Sequence, residues 1–154
     1  MDVPIKVDVK ALEALQERLE DLSAGQKDQF FEAAAKDTVA RFLVVVKRAT
    51  PKDTGTLRRG WTAGKDLDTY SEILAYANSL RVKRYGRSYR TTVENNVEYA
   101  EPVELGHRIM RNGRQVGYVP PQYFVKRSQE AFEPHIPKFL EKKLDKFLKE
   151  AFDG

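Results

Sequence analysis

KDQFFEAAAKDTVARFLVVVKRATPKDTG, residues 27–55, holds a helix and the signal that ends it. Phe31, Ala35, Thr38, Phe42, Val45, Val46 and Ala49 return at helical spacing and share one face. The pattern predicts a long core helix from about Lys27 to Ala49. Pro51 ends it, because the residue before a proline is pushed out of helical geometry. Lys52-Asp53-Thr54-Gly55 then reads as a turn.

Upstream, Asp8 is placed to cap a first helix from about Val9 to Leu22, with Leu12, Leu15, Leu19 and Leu22 as its apolar stripe and Ser23-Ala24-Gly25 as its break. Downstream, the stretch from Thr56 to Val97 is rich in Thr, Tyr, Val and Ile. Trp61, Tyr70, Ile73, Leu74, Tyr76, Val82, Tyr85, Tyr89 and Val93 predict three or four antiparallel strands. Val97 to Leu105 reads as a helical turn or two, stopped by Gly106. His107 to Val119, centred on Asn112-Gly113, predicts a projecting two-stranded arm, since that dipeptide favours a type I′ turn. Pro120 and Pro121 start a helix from about Gln122 to Phe132. Pro134 and Pro137 open a last one to about Ala151, with Ile136, Leu140, Leu144, Phe147 and Ala151 on its apolar face and Lys142, Lys146 and Lys149 on another. Grouped strands with helices at both ends give an α+β fold, an antiparallel sheet packed on the long helix.

The 154 residues suit a single domain, read as an N-terminal helix (1–24), a core (26–133) and a C-terminal amphipathic helix (134–154). With no cysteine, disulfides, thiolate metal sites and thiol nucleophiles are excluded. No segment approaches the ~18 apolar residues a membrane helix needs, and MDVPIKVDVK lacks the apolar core of a signal peptide. The formal net charge is +4, but its distribution says more: residues 73–93 and 105–129 contain no acid. Arg81, Lys83, Arg84, Arg87 and Arg90 lie in the first stretch, and Arg108, Arg111 and Arg114 in the second. Glu98, Glu101 and Glu104 lie between them. Segregated charge suits head-to-tail association.

Motifs for chemistry are sparse. His107 and His135 are the two histidines, and neither accompanies a G-x-S-x-G elbow. No phosphate-loop or dinucleotide fingerprint is present. Glu98, Glu101, Glu104 and His107 have the spacing of a carboxylate metal site, which would make a metal-dependent hydrolase. Pro102 and Gly106 interrupt that helix, and the second Glu-x-x-His is missing, so an acidic face meeting a partner is favoured. No catalytic residue, metal or cofactor is expected. Arg81 to Arg90 interleaves bases with Tyr85 and Tyr89, as nucleic-acid binders do; the plainer reading is a basic hairpin guarding a sheet edge.

Three ordered segments carry a resemblance. ATPKDTGTLRRG (49–60) resembles the A-x-P-x-D-T-G-x-L-R-x-S signature of tailed-phage head–tail joining (neck, tail-completion) proteins, with Gly60 in place of the serine. NVEYAEPVELG (96–106) is similar to their V-x-Y-A-x-x-V-E-x-G segment, and VPPQYFVKRS (119–128) to their P-x-x-F helix opening. The resemblance implies an α+β structural protein, not an enzyme, that assembles as a ring, expected to be hexameric. It would contact a tail-tube or tail-terminator protein and a connector or stopper protein, with DNA passing through the channel and no membrane. It would reside in the virion after assembly in the host cytoplasm. The motif positions Pro51, Asp53, Gly55, Leu57, Tyr99, Gly106, Pro120 and Phe124 take scaffold roles. Tyr99, Val103 and Leu105 are expected to anchor the short helix and leave Glu98, Glu101 and Glu104 outward, against Arg108, Arg111 and Arg114 of a neighbour. Arg81, Lys83, Arg84, Arg87 and Arg90 are expected to meet DNA or a partner. A nucleic-acid-binding module using 81–90 and 108–127 is the alternative.

Overall fold

A computed structural model describes residues 1–8, 16–52 and 54–153. In chain order the elements are β1 (Asp2–Asp8), α1 (Gln16–Glu20), α2 (Ala24–Ala49), α3 (Thr56–Gly60), α4 (Tyr70–Asn78), β2 (Lys83–Tyr85), β3 (Ser88–Glu94), α5 (Ala100–Leu105), β4 (His107–Arg111), β5 (Arg114–Val119), α6 (Phe124–Phe132), a 3-10 turn (Glu133–His135) and α7 (Ile136–Asp153). The α+β class stands, with a three-stranded antiparallel sheet in the order β1-β3-β2 and a separate β4-β5 hairpin.

Helix α2 is the spine. Ser23 caps it, accepting from Gln26 N while the Gln26 side chain accepts from Ser23 N. At its far end Thr50 turns extended (ψ 128°), and Pro51 follows. Two apolar clusters form around the spine. Phe42, Leu43 and Val46 pack with Trp61, Ile73, Val93 and Phe124. Phe30 and Phe31 pack with Leu19, Tyr89, Leu140 and Leu144. The sheet contributes alternating inward residues, Val3, Ile5 and Val7 from β1 and Tyr89, Thr91 and Val93 from β3.

Two parts of the secondary structure differ from expectation. The chain begins with a strand, whose Val3-Pro4-Ile5-Lys6-Val7 alternation pairs it with β3 from Asp2↔Glu94 onward; the part of the expected first helix over 9–15 lies outside the described residues. Residues 56–60 and 70–78 are helical where strands were expected. Trp61 closes α3 and is fully buried, its Nε1 donating to Thr50 Oγ1 at 2.9 Å. Tyr70, Ile73, Leu74 and Tyr76 lie on α4, which opens with a Thr69–Glu72 capping box. There Ile73 and Ala77, four apart, face the core, so helical spacing outweighs the strand preference of the individual residues.

Candidate interaction surface

The β4–β5 arm is as the sequence predicts. Asn112 (φ 51°) and Gly113 (φ 75°) both take left-handed conformations, as a type I′ turn requires. A bulge between Ile109 and Met110 shifts the register. No residue of the arm is buried.

The base of the arm is rigid. Gly106 precedes β4 at φ 78°, and a Cβ there would sit 2.8 Å from both Val119 O and Pro121 N. Gln122 N donates to Val103 O at 3.0 Å and Tyr123 N to Glu104 O at 3.1 Å. Glu104 supplies the strongest link. Its carboxylate accepts from Val125 N at 2.9 Å and Lys126 N at 3.0 Å, capping α6. These are charge-assisted bonds at a helix N-terminus, where unpaired N–H groups and the helix dipole favour an anion. The arm is thus looped out between two stretches pinned to each other.

This corrects the expected orientation of α5. Glu104 is 5% exposed and faces inward with Ala100, whereas Tyr99 and Leu105 are 46% and 54% exposed; of the three expected anchors, Val103 packs against the core. Glu98 and Glu101 remain outward. The reason is that α6 presents orphan N–H groups at this point, and a carboxylate satisfies two at once. The signal was present as a glutamate 16 residues ahead of Pro120-Pro121, but a long-range cap has no fixed spacing.

Around α5 and the arm, apolar exposure is concentrated. Of the ten large hydrophobic residues exposed among those described, seven fall between 99 and 123: Tyr99, Leu105, Ile109, Met110, Val116, Tyr118 and Tyr123. Arg108, Arg111 and Arg114 are exposed beside them. None of these arginines, nor Glu98 or Glu101, takes part in the ion pairs among the described residues. Glu98, Glu101, Glu104 and His107 do not converge, and no group of three or more His, Cys, Asp or Glu able to hold a metal occurs among the described residues.

The second basic stretch forms the β2–β3 hairpin, turning at Gly86-Arg87. Arg81, Lys83, Arg84, Arg87 and Arg90 are all exposed. Arg84 donates to Gly86 O at 3.0 Å and stands over the Tyr89 ring, while Arg90 stands 5.0 Å from the centroid of Tyr85. Cross-strand pairing sets Lys6 and Lys83 on either side of Arg90, a basic row across all three strands.

Gly55 is left-handed (φ 87°) and opens α3, Leu57 is 5% exposed, and Phe124 is fully buried at the start of α6. Pro120 lies in the extended segment before α6, which begins at Phe124 rather than Gln122. Asp53 lies outside the described residues. Gly60 is required by a close approach: a Cβ would collide with the Asn95 side chain, which donates to Leu57 O at 2.9 Å and accepts from Val97 N at 3.1 Å. No helix of the described residues is long and apolar enough to cross a membrane.

The family model described as "HK97-gp10_like: Bacteriophage HK97-gp10, putative tail-component" matches residues 13–106. That region holds the long helix, the sheet strands β2 and β3, and the first two signature segments; the arm, α6 and α7 follow it. No curated protein and no solved structure matches the chain. With most of its length matched by that model, the chain belongs to the HK97-gp10-like family of bacteriophage tail components.

Proposed function

We propose that the chain is a structural subunit of the phage particle that joins head to tail by assembling as a ring, expected to be hexameric. It works through shape and complementary surfaces rather than catalysis. A tail-tube or tail-terminator protein and a connector or stopper protein are its expected neighbours. The observation that carries this reading is the clustering of exposed apolar residues on the arm and α5. Apolar exposure on that scale marks an interaction site, and a lone two-stranded hairpin is marginal in water unless something covers it. The charge is complementary: the arm presents Arg108, Arg111 and Arg114, while α5 and the two residues before it present Glu98 and Glu101 beside the exposed Tyr99 and Leu105. The arm of one protomer would then rest on the α5 shoulder of the next, a heterologous contact of the kind that closes rings. Glu104 serves the contact indirectly, by holding the arm's base.

The test is charge reversal. Glu98→Lys with Glu101→Lys alters exposed side chains only, so the fold should persist while ring formation and tail attachment fail. Adding Arg108→Glu and Arg111→Glu should restore assembly in part. Particles of the first double variant with firmly attached tails would refute the interface.

One observation supports a second reading, in which the sheet face meets nucleic acid. Like charges directly across strands are destabilising, yet Arg90 stands directly opposite Lys83, with Tyr85 exposed beside them. A polyanion passing this face would relieve the repulsion. Steeply salt-dependent DNA binding that is lost on Arg87→Glu and Arg90→Glu would establish it; binding insensitive to both would discard it.

A further inference from the structure

A wide concavity is lined by no residue of the arm. It is a groove of about 850 Å³ between α2, α4 and α7. Its floor is apolar, built from Val44 and Val45 of α2, Leu74 of α4 and Phe139 of α7. All four are partly exposed and continuous with the core. One wall is cationic. His135, in the 3-10 turn before α7, and Lys138, Lys142, Lys143 and Lys146 of α7 line it, and Lys138, Lys142 and Lys146 recur every four residues along one face of the helix. None of the four lysines takes part in an ion pair among the described residues. Glu141 and Asp145 stay off that face, and Asp145 pairs with Arg18 of α1.

Asp37 is the single acid lining the groove, and it is occupied within the protomer. It accepts from the Tyr70 hydroxyl and pairs with Arg41 Nε at 3.2 Å. Arg41 in turn lies between two rings, 4.8 Å from the centroid of Phe139 and 5.4 Å from that of Tyr70. This stacking holds a half-exposed guanidinium in a fixed position at the groove. Lys138–Lys142 and Lys142–Lys146 are like-charge pairs four apart, which destabilise a helix standing alone. Such an arrangement is relieved by an anionic occupant.

We infer that this groove is a docking site for an acidic amphipathic helix of a partner protein. Charge complementarity identifies the sign of the occupant, and the floor identifies its class. A nucleic-acid backbone gains nothing from Val44, Val45, Leu74 and Phe139, whereas a helix with apolar residues at i, i+3, i+4 and i+7 fills such a floor and sets its glutamates against the lysines. The inference is independent of the arm: it uses α2, α4 and α7 and needs no ring.

The probe is a synthetic labelled peptide with leucines at that spacing, flanked by glutamates. Its controls are a peptide of the same composition with scrambled order and a short DNA duplex, all followed by fluorescence anisotropy on the full chain. The ordered peptide should bind and the scrambled one should not. Lys142→Glu with Lys146→Glu, both exposed, should weaken binding by about tenfold. Leu74→Ser, which leaves the charge unchanged, should weaken it as well, while arm variants should have no effect. Equal binding of the scrambled peptide, full affinity in Leu74→Ser, absence of peptide binding up to millimolar concentration, tighter binding of DNA through the same lysines, or self-association of the chain through them would each overturn the assignment.

Discussion

Glu104 ties three elements together: it ends α5, precedes the arm and caps α6 with two backbone hydrogen bonds. Replacing it with alanine removes the anion and leaves two N–H groups unpaired in a half-buried setting. Caps and charge-assisted bonds of this kind contribute about 2–3 kcal/mol, which in a domain of this size lowers the melting temperature by roughly 5–10 °C. Glu104→Gln keeps an acceptor oxygen and should lose about half as much. Thermal denaturation checks both, and a Glu104→Ala melt equal to wild type would remove Glu104 from this role. Two tyrosines pin the spine in a comparable way, Tyr89 to Asp28 at 2.8 Å and Tyr70 to Asp37. Burial, aided by the carboxylate partner, pushes each hydroxyl up to about 12, above the usual value near 10. Both folded-state values lie above the unfolded one, so the stability these groups contribute is intact below about pH 10 and is lost as pH rises toward 12. Tyrosinate absorbance should show Tyr70 and Tyr89 ionising only as pH approaches 12, with unfolding setting in over that window; ionisation of both near pH 10 in the folded protein would contradict it.

At the scale of elements, the arm combines a rigid base with a tip that no core supports. Substitutions at its exposed apolar positions should therefore cost the isolated protomer little, within about 0.5 kcal/mol as for ordinary surface sites. Met110→Ser with Tyr118→Ser should melt with wild type yet fail to assemble. A large loss of stability would mean that the arm packs on its own protomer. The arm was legible because Asn112-Gly113 specifies its turn chemically, and α2 because a long apolar period with a proline stop has one solution. Residues 56–78 were misread because Trp61, Tyr70, Ile73 and Tyr76 are individually strand-prone. The deciding signals were the Thr69-x-x-Glu72 box and the helical spacing of Ile73 and Ala77, which local propensity does not weigh. Strand β1 hid behind proline and charge, although Val3, Ile5 and Val7 alternate strictly; its partner lies some 85 residues downstream, beyond any local window. Among the proposed contacts, outward Glu98 and Glu101 followed from sequence. The inward turn of Glu104 depended on where α6 arrives, and that is set only by the assembled fold.

For the whole molecule, the decisive question is whether arm and shoulder are two halves of one interface. The net charge of +4 is too small to govern association by itself; what counts is that Arg108, Arg111 and Arg114 of the arm and Glu98 and Glu101 of the shoulder occupy different surfaces, and none of these five is in an ion pair among the described residues. A heterologous contact predicts an outcome that an isologous one cannot produce. A shoulder-defective variant (Glu98→Lys, Glu101→Lys) and an arm-defective variant (Met110→Ser, Tyr118→Ser) should each stay monomeric at concentrations where the wild type assembles. Mixed in equal amounts, the intact arm of the first should find the intact shoulder of the second. The defective surfaces that remain cannot propagate the contact, so sedimentation should reveal a dimer and nothing larger. If arms instead met arms about a twofold axis, the mixture would stay as monomeric as the arm-defective parent allows, and the shoulder variant alone would already dimerise.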